Sequence, residues 1–315
     1  MNGQFYQDII DGLKSNPKHI PSKYFYDANG DRLFQKIMKL DEYYLTQCEY
    51  EILDQNKLEI LNLFMENCRG FNLIEFGAGD AFKTKLILNH FKDENIDFIY
   101  SPVDISGNIL ETLQINLATE IHGLRVETVE ADYFEALDII TKKNCDKKVV
   151  LFLGSNIGNF SHDESRAFLA SVRKKLNKGD IFMIGFDLQK DPQVILNAYN
   201  DSSGITKDFN INLLKRINRE MGANFIPERF GHYPTYDPVT GEAKSFLISK
   251  FKQEVKLNGE SNRISFDEGE YIYTETSRKY TVKQIHELAD MSGFEVKKNL
   301  FDSKQYYVDS VWYVK

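Results

Sequence analysis

Only three cysteines occur in 315 residues, and Cys48, Cys68 and Cys145 stand far apart with no CxxC pair. So few, odd in number and scattered, they argue against a disulfide framework and against a zinc site, and a reducing cytoplasm is the expected compartment. Long apolar runs are missing too: none approaches the roughly 20 residues needed to cross a bilayer. The opening "MNGQFYQDIIDGLKSNPK" mixes acids into its apolar residues and lacks a signal-peptide pattern. Excess positive charge is absent. The net charge of −8 disfavours a phosphate-backbone partner. Internal repeats and low-complexity tracts are not found. What remains, 42% hydrophobic and 27% charged residues, is the composition of a soluble globular protein, long enough for one large or two modest domains.

The first part of the chain reads as helical, since "LFQKIMKL" and "CEYEILDQNKLEILNLF" space their apolar residues by three or four. The pattern then changes. "FNLIEF" is a short apolar run that ends in "GAGD" and precedes the helix candidate "AFKTKLILNHF". "DFIYSPVDIS" and "GNILETLQINLA" repeat the arrangement. "LRVETVEAD" and "KKVVLFLGSNIGNF" supply a third and fourth strand, and "HDESRAFLASVRKKLN" leads as a helix into a fifth, "IFMIGFDL". Strands alternating with helices imply an α/β fold, a parallel sheet flanked by helices.

After Asp191-Pro192 the rhythm breaks. "ITKDFNINLLKRINREMGANF" reads as one long helix, and "SFLISKFKQEVKL" and "EYIYTETSRKY" read as antiparallel strands. From Thr281 a helix, "TVKQIHELADMSGF", returns the chain to two final strands, "EVKKNLFD" and "YYVDSVWYVK". Residues 191–280 are therefore expected as an inserted subdomain, with 1–190 and 281–315 forming the sheet domain and its N-terminal helical part. His232, in "RFGHYP", is expected to be a structural loop residue. No histidine is placed as an obvious base.

Ligands of open parallel sheets bind outside the carboxyl ends of the strands. "LIEFGAGD" places Gly77 and Gly79 at the first such end, where glycine lets backbone approach a ligand or adopt positive φ. A dinucleotide fingerprint would need a third glycine where Phe82 stands. The second strand ends in Asp104, an acceptor for two ribose hydroxyls. The third ends in "EADYF", where Asp132 suits an adenine amino group and Tyr133 its ring. Each has a plainer alternative: a tight turn for the glycines, a helix N-cap for Asp104, a loop acid for Asp132, core packing for Tyr133. Together they favour adenosine without a pyrophosphate, which fits S-adenosylmethionine (SAM) better than NAD.

A second polar feature lies in "YIYTETSRKY", Tyr271 to Tyr280. Period-two alternation puts Tyr273, Glu275 and Ser277 on one face and Ile272, Thr274 and Thr276 on the other. Glu275 could line a pocket or pair with Arg278 or Lys279 on an exposed strand.

Several longer blocks resemble one family. "YFYDANGDRLFQKIMKLDEYYLTQCEYEIL", "LIEFGAGDAFKTKLIL", "PVDIS", "LFLGSNIGNF", "FDLQKDPQVILNAYNDSSGITKDFN" and "TETSRKY" are similar, in the same order over nearly the whole chain, to the SAM-dependent histidine Nα-methyltransferases of ergothioneine biosynthesis. The resemblance implies a Rossmann-like SAM-binding sheet flanked by helices, with an inserted α+β substrate-binding subdomain. It implies that Gly77, Lys83, Asp104, Asp132 and Tyr133 hold SAM, leaving S-adenosyl-L-homocysteine as product. It assigns Asn159 and Tyr199 to the amine and carboxylate of the substrate, Tyr26, Phe34 and Tyr43 to the pocket around it, and Glu275 with Ser277 to the imidazole. Asn159 and Tyr26 are the catalytic candidates, one orienting the amine and the other relaying its proton. Arg278 and Lys279 become an exposed continuation of the strand. Ser245 falls about where the family carries an apolar residue such as Met.

The activity implied is trimethylation of the α-amine of L-histidine to hercynine, by a cytoplasmic monomer acting on a free amino acid, with no nucleic-acid, membrane or metal partner. Two other classes compete: a sister methyltransferase for another amine, such as tryptophan or a modified histidine, and a dehydrogenase or non-enzymatic SAM sensor. Phe82 disfavours the dehydrogenase. Asn159 and Tyr199 disfavour the sensor.

Overall fold

The computed structural model describes residues 3–143, 147–257 and 262–315; Cys145 lies outside the described residues. Its strands, in chain order, are β1 (Lys18–His19), β2 (Gly70–Phe76), β3 (Asp97–Asp104), β4 (Val129–Glu130), β5 (Lys147–Phe152) and β6 (Ile181–Asp187). They continue as β7 (Phe230–Asp237), β8 (Glu242–Ser249), β9 (Gln253–Leu257), β10 (Asn262–Phe266), β11 (Tyr271–Arg278), β12 (Phe294–Phe301) and β13 (Tyr307–Val314). The chain divides into two compact units, one of residues 45–188 with 279–315 and the other of residues 1–44 with 189–278.

The first unit holds a seven-stranded sheet ordered β12-β13-β6-β5-β2-β3-β4. Strands β2 to β6 pair in parallel, whereas β13 runs antiparallel to β6 and β12 antiparallel to β13. Phe71 through Phe76 are all buried, the signature of a parallel strand covered on both faces. The chain leaves β2 toward β3 and β4, then returns to β5 on the other side. This reversal creates a switch point between β2 and β5, where a ligand crevice is expected. Helix Tyr133–Lys143, not anticipated from the pattern, links β4 to β5. Helices His162–Lys175 and Val282–Met291 each begin with a capping box, Ser161 with Glu164 and Thr281 with Gln284.

The second unit holds a four-stranded sheet, β1-β11-β8-β7, and a β9–β10 pair. Helix Ile205–Met221 packs on β7 and β8 and on helix Ala28–Ile37. Its buried Phe209, Leu213, Leu214, Ile217 and Met221 recur at the three-to-four-residue spacing of an inward stripe. The inserted segment was expected to stand by itself at 191–280. Instead residues 1–44 join it, because β1 pairs with β11 through Lys18↔Ile272 and His19↔Tyr273. Phe5, Ile9, Leu13 and Phe25 also enter the same apolar cluster as Phe209 and Leu214. The stretch "SFLISKFKQEVKL" divides into β8 and β9, and "LRVETVEAD" pairs only over Val129–Glu130 and a bridge at Val126. His232 is a strand residue of β7 rather than a loop residue.

Candidate active site

In the seven-stranded unit the cofactor candidates gather at the carboxyl ends of β2, β3 and β4. Gly77 and Gly79 have φ of 68° and 54°, a region where glycine avoids the Cβ penalty. A Cβ on Gly77 would stand 3.5 Å from the Tyr133 hydroxyl, so the bare backbone keeps that end open. Asp104 is half-buried; Oδ1 accepts from the Ser106 N–H at 2.9 Å, and burial pushes its carboxyl up. Asp132 is exposed and caps helix Tyr133–Lys143, Oδ1 accepting from the N–H groups of Phe134 and Glu135 at 2.9 Å. The Tyr133 ring stacks on Phe76 at 4.7 Å, and burial followed by the Asp104 charge pushes its phenol up. The plainer role weighed for Tyr133, a packed ring, is thus a real feature of the fold, whereas Asp132, weighed as a loop acid, is a helix cap. These roles leave the Tyr133 hydroxyl beside Gly77.

Lys83 pairs with Glu49, an acid that pattern reading passed over. The Glu49 carboxylate also accepts from Gly154 N–H at 2.7 Å and from the Tyr307 hydroxyl at 2.8 Å. Its signal was present: Leu45, Cys48, Glu49 and Ile52 are buried at helical spacing, so an acid sat on an inward face and needed partners. Gly154, with φ 78°, opens the turn after β5. Ser155 follows in the left-handed region, φ 57°, its Oγ accepting from Asp187 N–H at 3.1 Å. These contacts fix the short helix Asn156–Asn159, which carries Asn159 at an exposed position.

In the other unit the structure brings Tyr26, Phe34 and Tyr43 together. Tyr26 meets Phe34 edge-on at 5.6 Å and Phe34 meets Tyr43 at 6.1 Å. Phe209 joins at 5.8 Å from Tyr26 and 5.9 Å from Phe34; in the sequence it looked like one more core residue of a long helix. Tyr26 keeps 47% exposure, enough for its phenol to reach solvent. Tyr199 is buried and ends helix Pro192–Ala198. Its carbonyl accepts from His232 Nε2 at 3.0 Å, and burial pushes the His232 imidazole down, so the ring is neutral.

Strand β11 departs from strict alternation. Its pairing with β8 shifts between Tyr273 and Glu275, leaving Thr274 as an extra residue, a β-bulge. Tyr273 lies opposite Phe246, whereas Glu275 lies opposite Ser245 and Ser277 opposite Ala243. On β8 the residues Ala243, Ser245 and Leu247 are the buried set, and directly opposed residues share a face. Glu275 and Ser277 therefore face inward, while Tyr273, expected beside them, faces outward and hydrogen-bonds Thr276. Arg278 and Lys279 are not an exposed continuation. Arg278 pairs with Glu242, and Lys279 is fully buried against Asp187 at 2.8 Å. Among the described residues, no group of three or more His, Cys, Asp or Glu could hold a metal ion, and no helix is long and apolar enough to cross a membrane.

A parallel sheet with an antiparallel final pair, glycines at the first strand end and acids at the next two, is the framework of a SAM-dependent methyltransferase. Residues 5–314 match the family described as "Histidine-specific methyltransferase, SAM-dependent", and the chain belongs to that family. It is 32% identical over 279 residues to a histidine N-alpha-methyltransferase of Mycobacterium tuberculosis, covering 89% of this chain and 85% of the relative. It is 30% identical over 291 residues to ergothioneine biosynthesis protein 1 of Neurospora crassa, covering 90% of this chain and 32% of that longer protein. With an L-tryptophan methyltransferase of Psilocybe serbica it shares 26% over 324 residues, 95% of this chain and 90% of the relative.

Proposed function

We propose that this enzyme methylates the α-amino nitrogen of free L-histidine three times, giving hercynine, the entry reaction of ergothioneine biosynthesis. The observation that carries the substrate is the inward placement of Glu275 and Ser277 on β11. A carboxylate accepts from one imidazole N–H, and a serine hydroxyl serves the second nitrogen or bridges to it. A side chain lacking two ring nitrogens would forfeit one of these hydrogen bonds, at a cost of about 1–3 kcal/mol.

Bound SAM supplies an electrophilic methyl group on its sulfonium. Gly77, Lys83, Asp104, Asp132 and Tyr133 are the residues that would hold it, Asp104 at the ribose and Asp132 with Tyr133 at the adenine. The chain's own contribution is to present the amine neutral and oriented, because a free α-amine is mostly protonated at neutral pH. Asn159 offers an amide oxygen and an amide N–H, which orient the amine without keeping it charged. Tyr26 relays the proton outward, and Tyr199 engages the carboxylate. Orientation of this kind lowers the barrier by replacing a bimolecular encounter. The aromatic group of Tyr26, Phe34, Tyr43 and Phe209 supports repeated methylation, since ring faces attract an ammonium that has lost its N–H donors.

Tryptophan or a modified histidine is the competing substrate. Ser245 favours it through its small volume, whereas an indole offers one N–H and no second ring nitrogen to Ser277. Mass spectrometry of the purified protein with SAM and a panel of free amino acids decides between them. Histidine gaining three methyls is the expected product; a largest mass gain at tryptophan would overturn the substrate, and histidine stopping at one or two methyls would overturn the trimethylation. The protein is proposed to work as a cytoplasmic monomer.

A further inference from the structure

Buried polar side chains almost always find a hydrogen-bond partner. Ser245 is an exception: it is 1% exposed, and its Oγ has no partner among the described residues. Its backbone, by contrast, is engaged, the carbonyl accepting from Thr274 Oγ1 at 3.0 Å. Ser245 lies directly opposite Glu275 on β11 and opposite Pro234 on β7. Along its own strand the same-face neighbours are Ala243 and Leu247. Proline, alanine and leucine side chains offer neither donor nor acceptor. The polar neighbour across the sheet is Glu275, whose Cβ in such a pair is about 4.5–5.5 Å away.

We propose that Ser245 is a specificity-determining residue whose hydroxyl hydrogen-bonds the substrate's ring, so that the imidazole is read by Glu275 and two hydroxyls, Ser245 and Ser277. The inference rests on histidine being the substrate. A hydroxyl both donates and accepts: it donates to the unprotonated ring nitrogen while the Glu275 carboxylate accepts from the protonated one. One neutral tautomer is then favoured, and a histidine methylated on a ring nitrogen forfeits one of the bonds.

The test is Ser245→Ala in the full chain. Its kcat/KM for histidine is expected to fall about 10- to 100-fold, with SAM affinity by calorimetry unchanged. The thermal midpoint without histidine should equal or exceed that of the wild type, because a buried unpaired hydroxyl has been removed. Ser245→Cys, close in size but a weak donor, should behave like alanine, and the rise in midpoint produced by histidine should shrink in both. Wild-type activity on histidine with an unimpaired alanine variant overturns the role of Ser245 alone. A loss of activity accompanied by falls in midpoint and SAM affinity makes Ser245 structural and also overturns it. No methylation of histidine by the wild type removes the substrate assignment, and this role with it.

Discussion

Glu275 and Glu49 are acids drawn inward for different ends, and each gives a separable prediction. Glu275, opposite Ser245 on the inner face of β11, is assigned to the substrate ring. A hydrogen bond to a charged group contributes about 1.5–3 kcal/mol, so Glu275→Ala should lower kcat/KM for histidine by about 10- to 150-fold. SAM binding measured by calorimetry should stay near wild type; an equal loss there would make Glu275 structural. Glu49 is a positioning residue in the other unit. It holds Lys83, the Gly154 N–H and the Tyr307 hydroxyl at once. Asp309 is a poor substitute, because burial and then the Glu49 charge push its carboxyl well up. Glu49→Gln retains an oxygen for Gly154 but removes the charge facing Lys83. Removing one partner of a fully buried pair costs about 3–5 kcal/mol, and Lys83 keeps 20% side-chain exposure, so a loss of about 2 kcal/mol is expected. SAM affinity should weaken about tenfold, since about 1.4 kcal/mol of that loss falling on the cofactor-bound state is one decade. Calorimetry and thermal unfolding check both, and unchanged SAM affinity would detach Glu49 from the cofactor end.

At the level of elements, the bulge in β11 decides which side chains point inward. Thr274, the extra residue, is 1% exposed, and its Oγ1 lies 3.0 Å from both Asn210 Oδ1 and the Ser245 carbonyl. Thr274→Val keeps the shape but removes the one hydroxyl proton that these two buried oxygens share. It should destabilise the protein by about 1–3 kcal/mol in chemical denaturation; a change within about 0.5 kcal/mol, the range of a neutral surface substitution, would mean the bulge holds without that hydroxyl. The alternation of "YIYTETSRKY" was legible in the chain, but the bulge was not, because its stabilising partner Asn210 sits on a distant helix. Strand β7 was hidden for another reason. "FGHYPTYD" carries Pro234 and Gly231, which demote a central strand, yet β7 is an edge strand of its sheet, where a missing N–H is tolerated. Helix Tyr133–Lys143 had a visible start signal, Asp132 followed three residues later by Glu135. That signal is masked because an acid at a strand end suits a loop or a ligand contact as well as a helix cap. The parallel strands and glycine turns, by contrast, were readable because their apolar runs and breaks are local. The attachment of residues 1–44 was not, since a two-residue strand and an apolar helix face do not name their partners.

For the whole molecule, the inward carboxyls set how stability varies with pH, and Glu75 dominates one window. It lies on β2, accepts from Thr84 Oγ1 at 2.6 Å and from the Tyr100 hydroxyl, and burial still pushes its carboxyl from 4.5 up to about 7. Between those values the native state keeps a proton that the unfolded chain has released. Stability therefore falls as pH rises from about 4.5 to about 7 and is level above. The contribution is on the order of 3 kcal/mol, from about 1.4 kcal/mol per pH unit of displacement. Asp201 acts at the other end. Burial opposes its charge, but Ser203 and the N–H groups of Ile205 and Thr206 hold its carboxyl at about 2. Its stabilisation is present above pH 4 and lost as pH falls toward 2, outside the Glu75 window. Asp309, pushed upward, shares the sign of Glu75. Chemical denaturation at pH 5, 6, 7 and 8 should therefore show wild-type stability declining, the decline reduced in Glu75→Gln, and reduced further when Asp309→Asn is added. Glutamine can still accept from Thr84, and the Tyr100 hydroxyl can turn to accept from its amide, so the variant keeps its hydrogen bonds while losing the titration. It should gain on the wild type most at pH 8, and a Glu75→Gln slope equal to that of the wild type would assign the decline to other groups.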